Sequence, residues 1–190
     1  MEHTKARIKE LWDESIGIFQ KTDAILSLET AIDAVIKCFL RGGKVITCGN
    51  GGSMEQAQHI AGELVDRFKK ERNALPTITL GSNPAVLTAW ANDYDYKTAF
   101  RREFEAIAEK KDCVIILSTR GNSANIIEVV KSARELGIFT IGLLGEGGEL
   151  KNLVDICLAV PSQNTPRIQE VHMLFIHILC EIVEERMAHE

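Results

Sequence analysis

Two short stretches of this 190-residue chain combine glycine with hydroxyl, amide and guanidinium groups, the chemistry that surrounds an anion. The first, Gly49-Asn50-Gly51-Gly52-Ser53, follows the apolar run Lys44–Cys48 and turns into a helical pattern. Its glycines let the backbone take conformations closed to other residues and approach a ligand closely. A strand, a Gly-rich loop and a helix N-terminus place free N–H groups and a positive dipole end at one point, which suits a phosphate. Ser53, with Gln56 three residues on, reads as a capping box that opens the helix. The second stretch, Ser118-Thr119-Arg120-Gly121-Asn122-Ser123, also lies between a strand and a helix and offers three hydroxyls and one guanidinium. Arginine can grip phosphate oxygens bidentately. Either loop alone is an ordinary polar turn; two of one grammar in one small domain favour phosphate binding.

A second set of residues could move protons or hold a metal. His59 and Glu63 stand four apart on the helix after the first loop, and so project from one face. Gln169 and His177, eight apart on the last helix, can lean toward a common region, and both sit in apolar sequence where a polar group needs a partner. Two histidines, a carboxylate and an amide oxygen would fill a tetrahedral zinc shell. On spacing alone, a half-buried histidine beside a surface glutamate accounts for the first pair equally well. His172, between Gln169 and His177, is expected to be an ordinary helix histidine with its hydrogen bonds met. Asn92-Asp93, which breaks a helical pattern, is either a local cap or a pair aimed into the cleft.

These groups must be positioned by alternating helices and strands. Residues 4–41 read as two helices that break near 26–29; Ile8, Leu11, Trp12, Ile16 and Phe19 form the stripe of the first. Strands are expected at 44–48, 76–80, 113–117, 138–144 and 156–160, with helices at 53–68, 84–91, 96–109, 124–136 and 166–187. Thr165-Pro166 opens the last helix, with Thr165 as its N-cap. That helix is apolar nearly all round and should be covered on several sides. The alternation implies α/β architecture, a parallel sheet with helices on both faces. Ligands in such sheets bind beyond the carboxyl ends of the strands, where both Gly/Ser loops fall.

Composition bounds the rest. With 45% apolar and 26% charged residues the chain is ordinary for one globular domain. A net charge of −5 argues against a nucleic-acid partner. Neither a signal peptide nor an apolar run of membrane-spanning length is present, so a cytoplasmic protein with no membrane partner is expected. The five cysteines have no CxxC spacing and lie mostly in apolar segments, as reduced core residues do.

CGNGGS, AQHIAGEL, AND, STRGNSAN and RIQEVHMLFIH, in that order, resemble the bacterial phosphoheptose isomerases of the sugar-isomerase (SIS) domain family. The resemblance covers most of the chain. It implies a three-layer αβα sandwich around a five-stranded parallel sheet, a single domain over 1–190 with 1–41 as a helical oligomerisation segment, and a homotetramer with active sites between subunits. It also implies conversion of sedoheptulose 7-phosphate to a manno-heptose 7-phosphate in heptose biosynthesis, with one zinc ion per subunit. Carried over by position, Asn50, Gly51, Gly52 and Ser53 form a substrate loop, Asn92 and Asp93 a second contact, and Ser118, Thr119 and Ser123 the phosphate loop. Gln169 would touch substrate as well as metal. His59, Glu63, Gln169 and His177 match the zinc ligands, and Glu63, also in contact with substrate, pairs with His177 as acid and base.

One position departs from that pattern: Arg120 stands where these isomerases commonly have serine. STRGNS and the HML run also resemble a non-catalytic tetrameric relative that binds the bacterial replication initiator. That relative lacks counterparts of Glu63 and His177, and this chain keeps both. The enzyme is therefore the leading expectation. An adaptor without catalysis, or an isomerase of another phosphosugar whose phosphate Arg120 grips, are the alternatives.

Overall fold

The computed structural model describes residues 2–188. Thirteen regular elements follow in order: helices α1 (Glu2–Lys21) and α2 (Ile25–Leu40), strand β1 (Val45–Cys48), α3 (Gly52–Val65), β2 (Thr77–Thr79), α4 (Pro84–Asp93) and α5 (Tyr96–Ile107). Then come β3 (Cys113–Ser118), α6 (Ala124–Leu136), β4 (Phe139–Leu144), a 3-10 turn (Glu149–Asn152), β5 (Ile156–Ala159) and α7 (Thr165–Met187). The five strands are all parallel in the order β2-β1-β3-β4-β5. Every residue of β3 is buried, as an unbroken apolar run at the centre of a covered sheet requires.

Alternation along the strands sends side chains to two separate apolar clusters. Val45, Ile115, Leu117, Ile141 and Leu143 pack with α2, α3 and α7 on one face. Ile46, Cys48, Val114, Ile116 and Leu144 pack with α5 and α6 on the other. The expected αβα sandwich is thus the observed one. Buried Thr47 and Thr79 join β1 to β2 through their hydroxyls at 2.8 Å, and Thr47 also donates to the Ala57 carbonyl of α3. The five cysteines are free thiols, four of them buried. No helix among the described residues is long and apolar enough to cross a membrane.

Several local expectations are corrected. α3 is capped not by Ser53 but by Gly51, whose φ of 55° lies in the region that only glycine adopts easily. Ser53 falls in the first turn and is buried, while Gln56 turns away to donate to the Gln169 carbonyl of α7. The break between the first helices comes at 22–24, where Thr22 bonds back to the Ile18 carbonyl, not at 26–29. Asn92 and Asp93 do not interrupt α4 but complete it; Asp95 then caps α5 by accepting from the Lys97 N–H. Asn164, not Thr165, is the N-cap residue of α7. α7 is not covered all round either, since Leu174 and His177 are exposed. The stripe of α1 faces outward: Ile8, Trp12, Ile16 and Phe19 are all exposed, and α1 is tied to α7 through Arg167, which donates to the Leu11 carbonyl and the Ser15 hydroxyl.

His172 differs most from expectation. It is wholly buried on α7, and neither ring nitrogen has a hydrogen-bond partner. Burial pushes its pKa from 6.5 down to about 4; the Leu144 backbone lies close enough to oppose this slightly but makes no well-formed bond. The unfolded chain takes up this proton near pH 6.5 and the folded chain only near 4, so stability falls as pH drops through that window and levels off below it. The full effect is about 3 kcal/mol. His172→Leu should flatten the stability–pH curve between pH 6.5 and 4 relative to wild type in urea titrations. Parallel curves for the two proteins would contradict this account.

Candidate active site

The winding of the chain reverses between β1 and β3, which are neighbours in the sheet but are separated in sequence by β2. The loops leaving their carboxyl ends therefore diverge and leave a crevice between them. Asn50, Ser53, Leu117, Ser118, Thr119, Arg120 and Ser123 line a cavity of about 120 Å³ there. The structure thus brings the two Gly/Ser loops together, as their shared grammar requires.

Two helix N-termini open on this cavity, α3 through Ser53 and α6 through Ser123, and neither helix has a side-chain cap. Their dipole ends reinforce each other at one point, and both favour negative charge. The Ser118 hydroxyl accepts from the Gly121 N–H at 3.1 Å and lies 3.5 Å from the Ser123 hydroxyl. Thr119 faces Thr165 of α7 at 3.4 Å. Arg120 is exposed and makes no ion pair among the described residues. Gly121 has a φ of 67°, and a Cβ there would overlap the Gly147 carbonyl, so only glycine lets the 118–123 loop pack on the 145–148 loop.

Two further residues shape this end of the site. Asn125, 4% exposed, exchanges two 2.9 Å hydrogen bonds with Asn50 through their side-chain amides, and the Tyr96 hydroxyl donates to the same Asn50 oxygen at 2.8 Å. Sequence reasoning gave neither a role. A buried asparagine in the apolar run Asn125-Ile126-Ile127 needs a partner, which was the available signal. Asn92 and Asp93 are exposed at the end of α4 and bond to each other at 2.8 Å, with no hydrogen bond to either loop. It is Tyr96, not these two, that links the α4–α5 corner to Asn50.

About two turns down α3 lies the second group. His59 Nε2 stands 3.1 Å from Glu63 Oε1 and 3.2 Å from His177 Nε2. The Glu63 carboxylate can accept from His59 Nε2, and His177 Nε2 stands within hydrogen-bond reach of the same atom. Separations near 3.3 Å are those of ligands about 2.0 Å from a tetrahedral zinc ion, and imidazole and carboxylate are its usual donors. The donor types fit a metal, but the cluster is a face and not a shell: the side chains of His59 and Glu63 are 37% and 24% exposed, and no three His, Cys, Asp or Glu among the described residues enclose a common point. Gln169 is elsewhere. Its side chain lies against Gly52 at the start of α3, about 12 Å along α7 from His177. Within one chain Gln169 and His177 do not lean toward a common region.

A larger cavity, about 680 Å³, opens at the opposite ends of the strands between α2 and α6. Lys37, Arg41 and Arg134 line it, but they sit where helices α2 and α6 end and answer the negative dipole ends there. Buried Asp112 on its wall is bonded to Lys44.

The SIS domain family matches residues 12–145. A phosphoheptose isomerase of Clostridium acetobutylicum is 45% identical over 187 residues, which span 98% of this chain and 95% of that protein. One from a Roseiflexus species is 49% identical over 159 residues, 83% of this chain and 81% of the relative. Among solved structures, a phosphoheptose isomerase from Francisella tularensis superposes with a TM-score of 0.90 at 34% identity, covering 96% of this chain and 98% of that one. One from Neisseria gonorrhoeae gives 0.90 at 33%, covering 96% and 99%. By its family match, its relatives and its superposition on solved structures, this chain is an enzyme of the SIS-domain family and belongs to its phosphoheptose isomerases.

Proposed function

We propose that the protein is a cytoplasmic aldose–ketose isomerase that converts sedoheptulose 7-phosphate to D-glycero-D-manno-heptose 7-phosphate for heptose biosynthesis. The observation that carries the reading is the meeting of two uncapped helix N-termini, four hydroxyl side chains and Arg120 in one crevice, with His59, Glu63 and His177 about two turns away along α3. The substrate's 7-phosphate occupies the crevice, held by Ser118, Thr119, Ser123 and Arg120. Asn50, Gly51, Gly52 and Ser53 receive the sugar oxygens, and Asn92 and Asp93 approach from the α4 side.

The reaction moves one proton between C1 and C2 through an enediol, which needs a base, an acid and stabilisation of the developing oxyanion. Glu63 removes the proton from the ketose C1, and His177 serves the oxygens as acid before the proton is returned at C2. A zinc ion held by His59, Glu63, His177 and Gln169 would polarise the carbonyl and draw the two reacting oxygens together. The cavity of one chain, about 120 Å³, is well below the roughly 300 Å³ at which small-molecule pockets begin. A homotetramer supplies the missing walls, and a second copy brings its Gln169 to the three donors of the first. The outward apolar stripe of α1 supports such an assembly, as does α4, which buries no residue of its own within one chain.

The adaptor reading is weaker because Glu63 and His177 meet at His59, an arrangement that a purely adhesive surface has no use for. Incubation with sedoheptulose 7-phosphate, followed by NMR with and without chelator, tests the proposal. Formation of the aldose is expected, and chelation should suppress it. Full turnover in metal-free protein would remove zinc from the mechanism, while no turnover on this ketose leaves another phosphosugar or the adaptor.

Glu63→Gln should keep the fold and sugar-phosphate binding but lose ~10²–10⁴-fold in kcat. Activity near that of wild type would refute the base assignment. Arg120→Ser should raise KM several-fold with kcat unchanged, the mark of lost uniform binding. An unchanged KM would mean that Arg120 does not grip the phosphate. Light scattering should find a tetramer at micromolar concentration, and a stable monomer would rule out the shared site.

A further inference from the structure

The strap that joins α3 to β2, residues 66–72, is held by two charges sealed from solvent. The side chains of Arg72 and Glu184 are 2% and 1% exposed. Glu184, on α7, accepts from three successive backbone N–H groups of the strap: Phe68 at 2.7 Å, Lys69 at 2.6 Å and Lys70 at 2.8 Å. Such a run of amides is an anion-binding nest, here filled by the chain's own carboxylate. Burial alone would raise the Glu184 pKa, but the three amides and Arg72 together hold it below the usual range. Arg72 Nε is 3.4 Å from the same carboxylate, and its other nitrogens donate to the carbonyls of Glu63 (2.8 Å), Asn73 (3.0 Å) and Asp66 (3.3 Å).

Both ends of this clasp reach the donor cluster. Of the three carbonyls that Arg72 holds, the main-chain carbonyl of Glu63 is the nearest, and the Phe68 ring packs 5.8 Å from the ring of His177, two turns before Glu184 on α7. Burying a charge pair is a poor route to stability, because desolvation offsets most of the attraction. What such a pair does provide is a fixed geometry. Surface pairs Lys69–Glu181 and Lys70–Glu185 repeat the link but are exposed and contribute little.

We propose that Glu184 and Arg72 are positioning residues of the active site: they lock the end of α3 to α7 and seat Phe68 against His177, so that His59, Glu63 and His177 keep their separations. The proposal rests on the reading of that cluster as the acid/base and donor group. Glu184→Gln leaves Arg72 uncompensated and should lower Tm. The double variant Glu184→Gln/Arg72→Met removes both charges, keeps an acceptor for the strap and should recover most of that Tm. In both, kcat should fall about 10- to 100-fold, with KM for the sugar phosphate within about twofold of wild type, since the phosphate crevice is untouched. Recovery of kcat together with Tm in the double variant would reduce the pair to a stabilising contact and overturn the inference.

Phe68→Leu leaves the ion pair intact and isolates the seat on His177; lowered kcat at unchanged Tm and KM is expected, and wild-type kcat would count against the seat. A readout independent of turnover is the NMR shifts of the His59 and His177 rings at one fixed pH in chelator. They should move in the double variant and in Phe68→Leu, and unmoved shifts would overturn the inference. A wild type inactive on sedoheptulose 7-phosphate would refute that substrate assignment, and the ring shifts would still decide this inference.

Discussion

α3 and α7 run side by side in the same direction, and the site depends on their register. Gly52 meets Gln169, His59 meets His177, and the strap beyond α3 meets Glu184. Apolar residues of both helices, among them Ala57, Ile60, Leu64, Val171, Phe175 and Leu179, belong to one core cluster under the sheet. Burial of that kind is strong but indifferent to small slips along the axis. Directional bonds set the register: Gln56 to the Gln169 carbonyl at 2.7 Å near one end, and Glu184 to the strap at the other. A slip of one turn, about 5.4 Å, would part His59 from His177 entirely.

The anion end of the site is governed by a different constraint. Two backbone dipole ends and the Arg120 guanidinium, the one formal charge of its lining among the described residues, together make it positive. Such a site is built before any ligand arrives, because α3 and α6 are fixed by the sheet. It also remains dependent on glycine: Gly51 turns the chain into α3, and Gly121 allows two loops to touch. Serine and threonine hydroxyls can rotate to suit the oxygens presented to them. Asn50 is held by Asn125 and Tyr96, so it presents a fixed group among adaptable ones.

A single chain leaves much apolar surface uncovered. Trp12 is 68% exposed, and Ile25 and Leu26 are both close to 80%. Ile25 and Leu26 open α2 just after the turn from α1, and Trp12 lies midway along α1. Exposed apolar surfaces of this extent mark association sites in most proteins.

The order of elements, the parallel sheet and the two phosphate-type loops were legible in the sequence, because short apolar runs, helical stripes and Gly/Ser turns are local patterns set by local physics. His59 and Glu63 could likewise be placed on one face, since four residues span about one turn. What the sequence could not state is which distant residues meet. That His177 joins His59 while Gln169 stays at Gly52 follows only from the parallel packing of α3 on α7. The capping box at Ser53 was a sound local pattern that lost to tertiary demand: the crevice takes Ser53, and α7 takes Gln56. His172 looked ordinary because nothing in its neighbours reveals that both ring nitrogens are left without partners. Glu184 and Arg72 lie 112 residues apart in surface-like charged runs, and no spacing rule marks them as a pair. Local propensity wrote the elements; the packing of one helix along another decided which polar groups became a site.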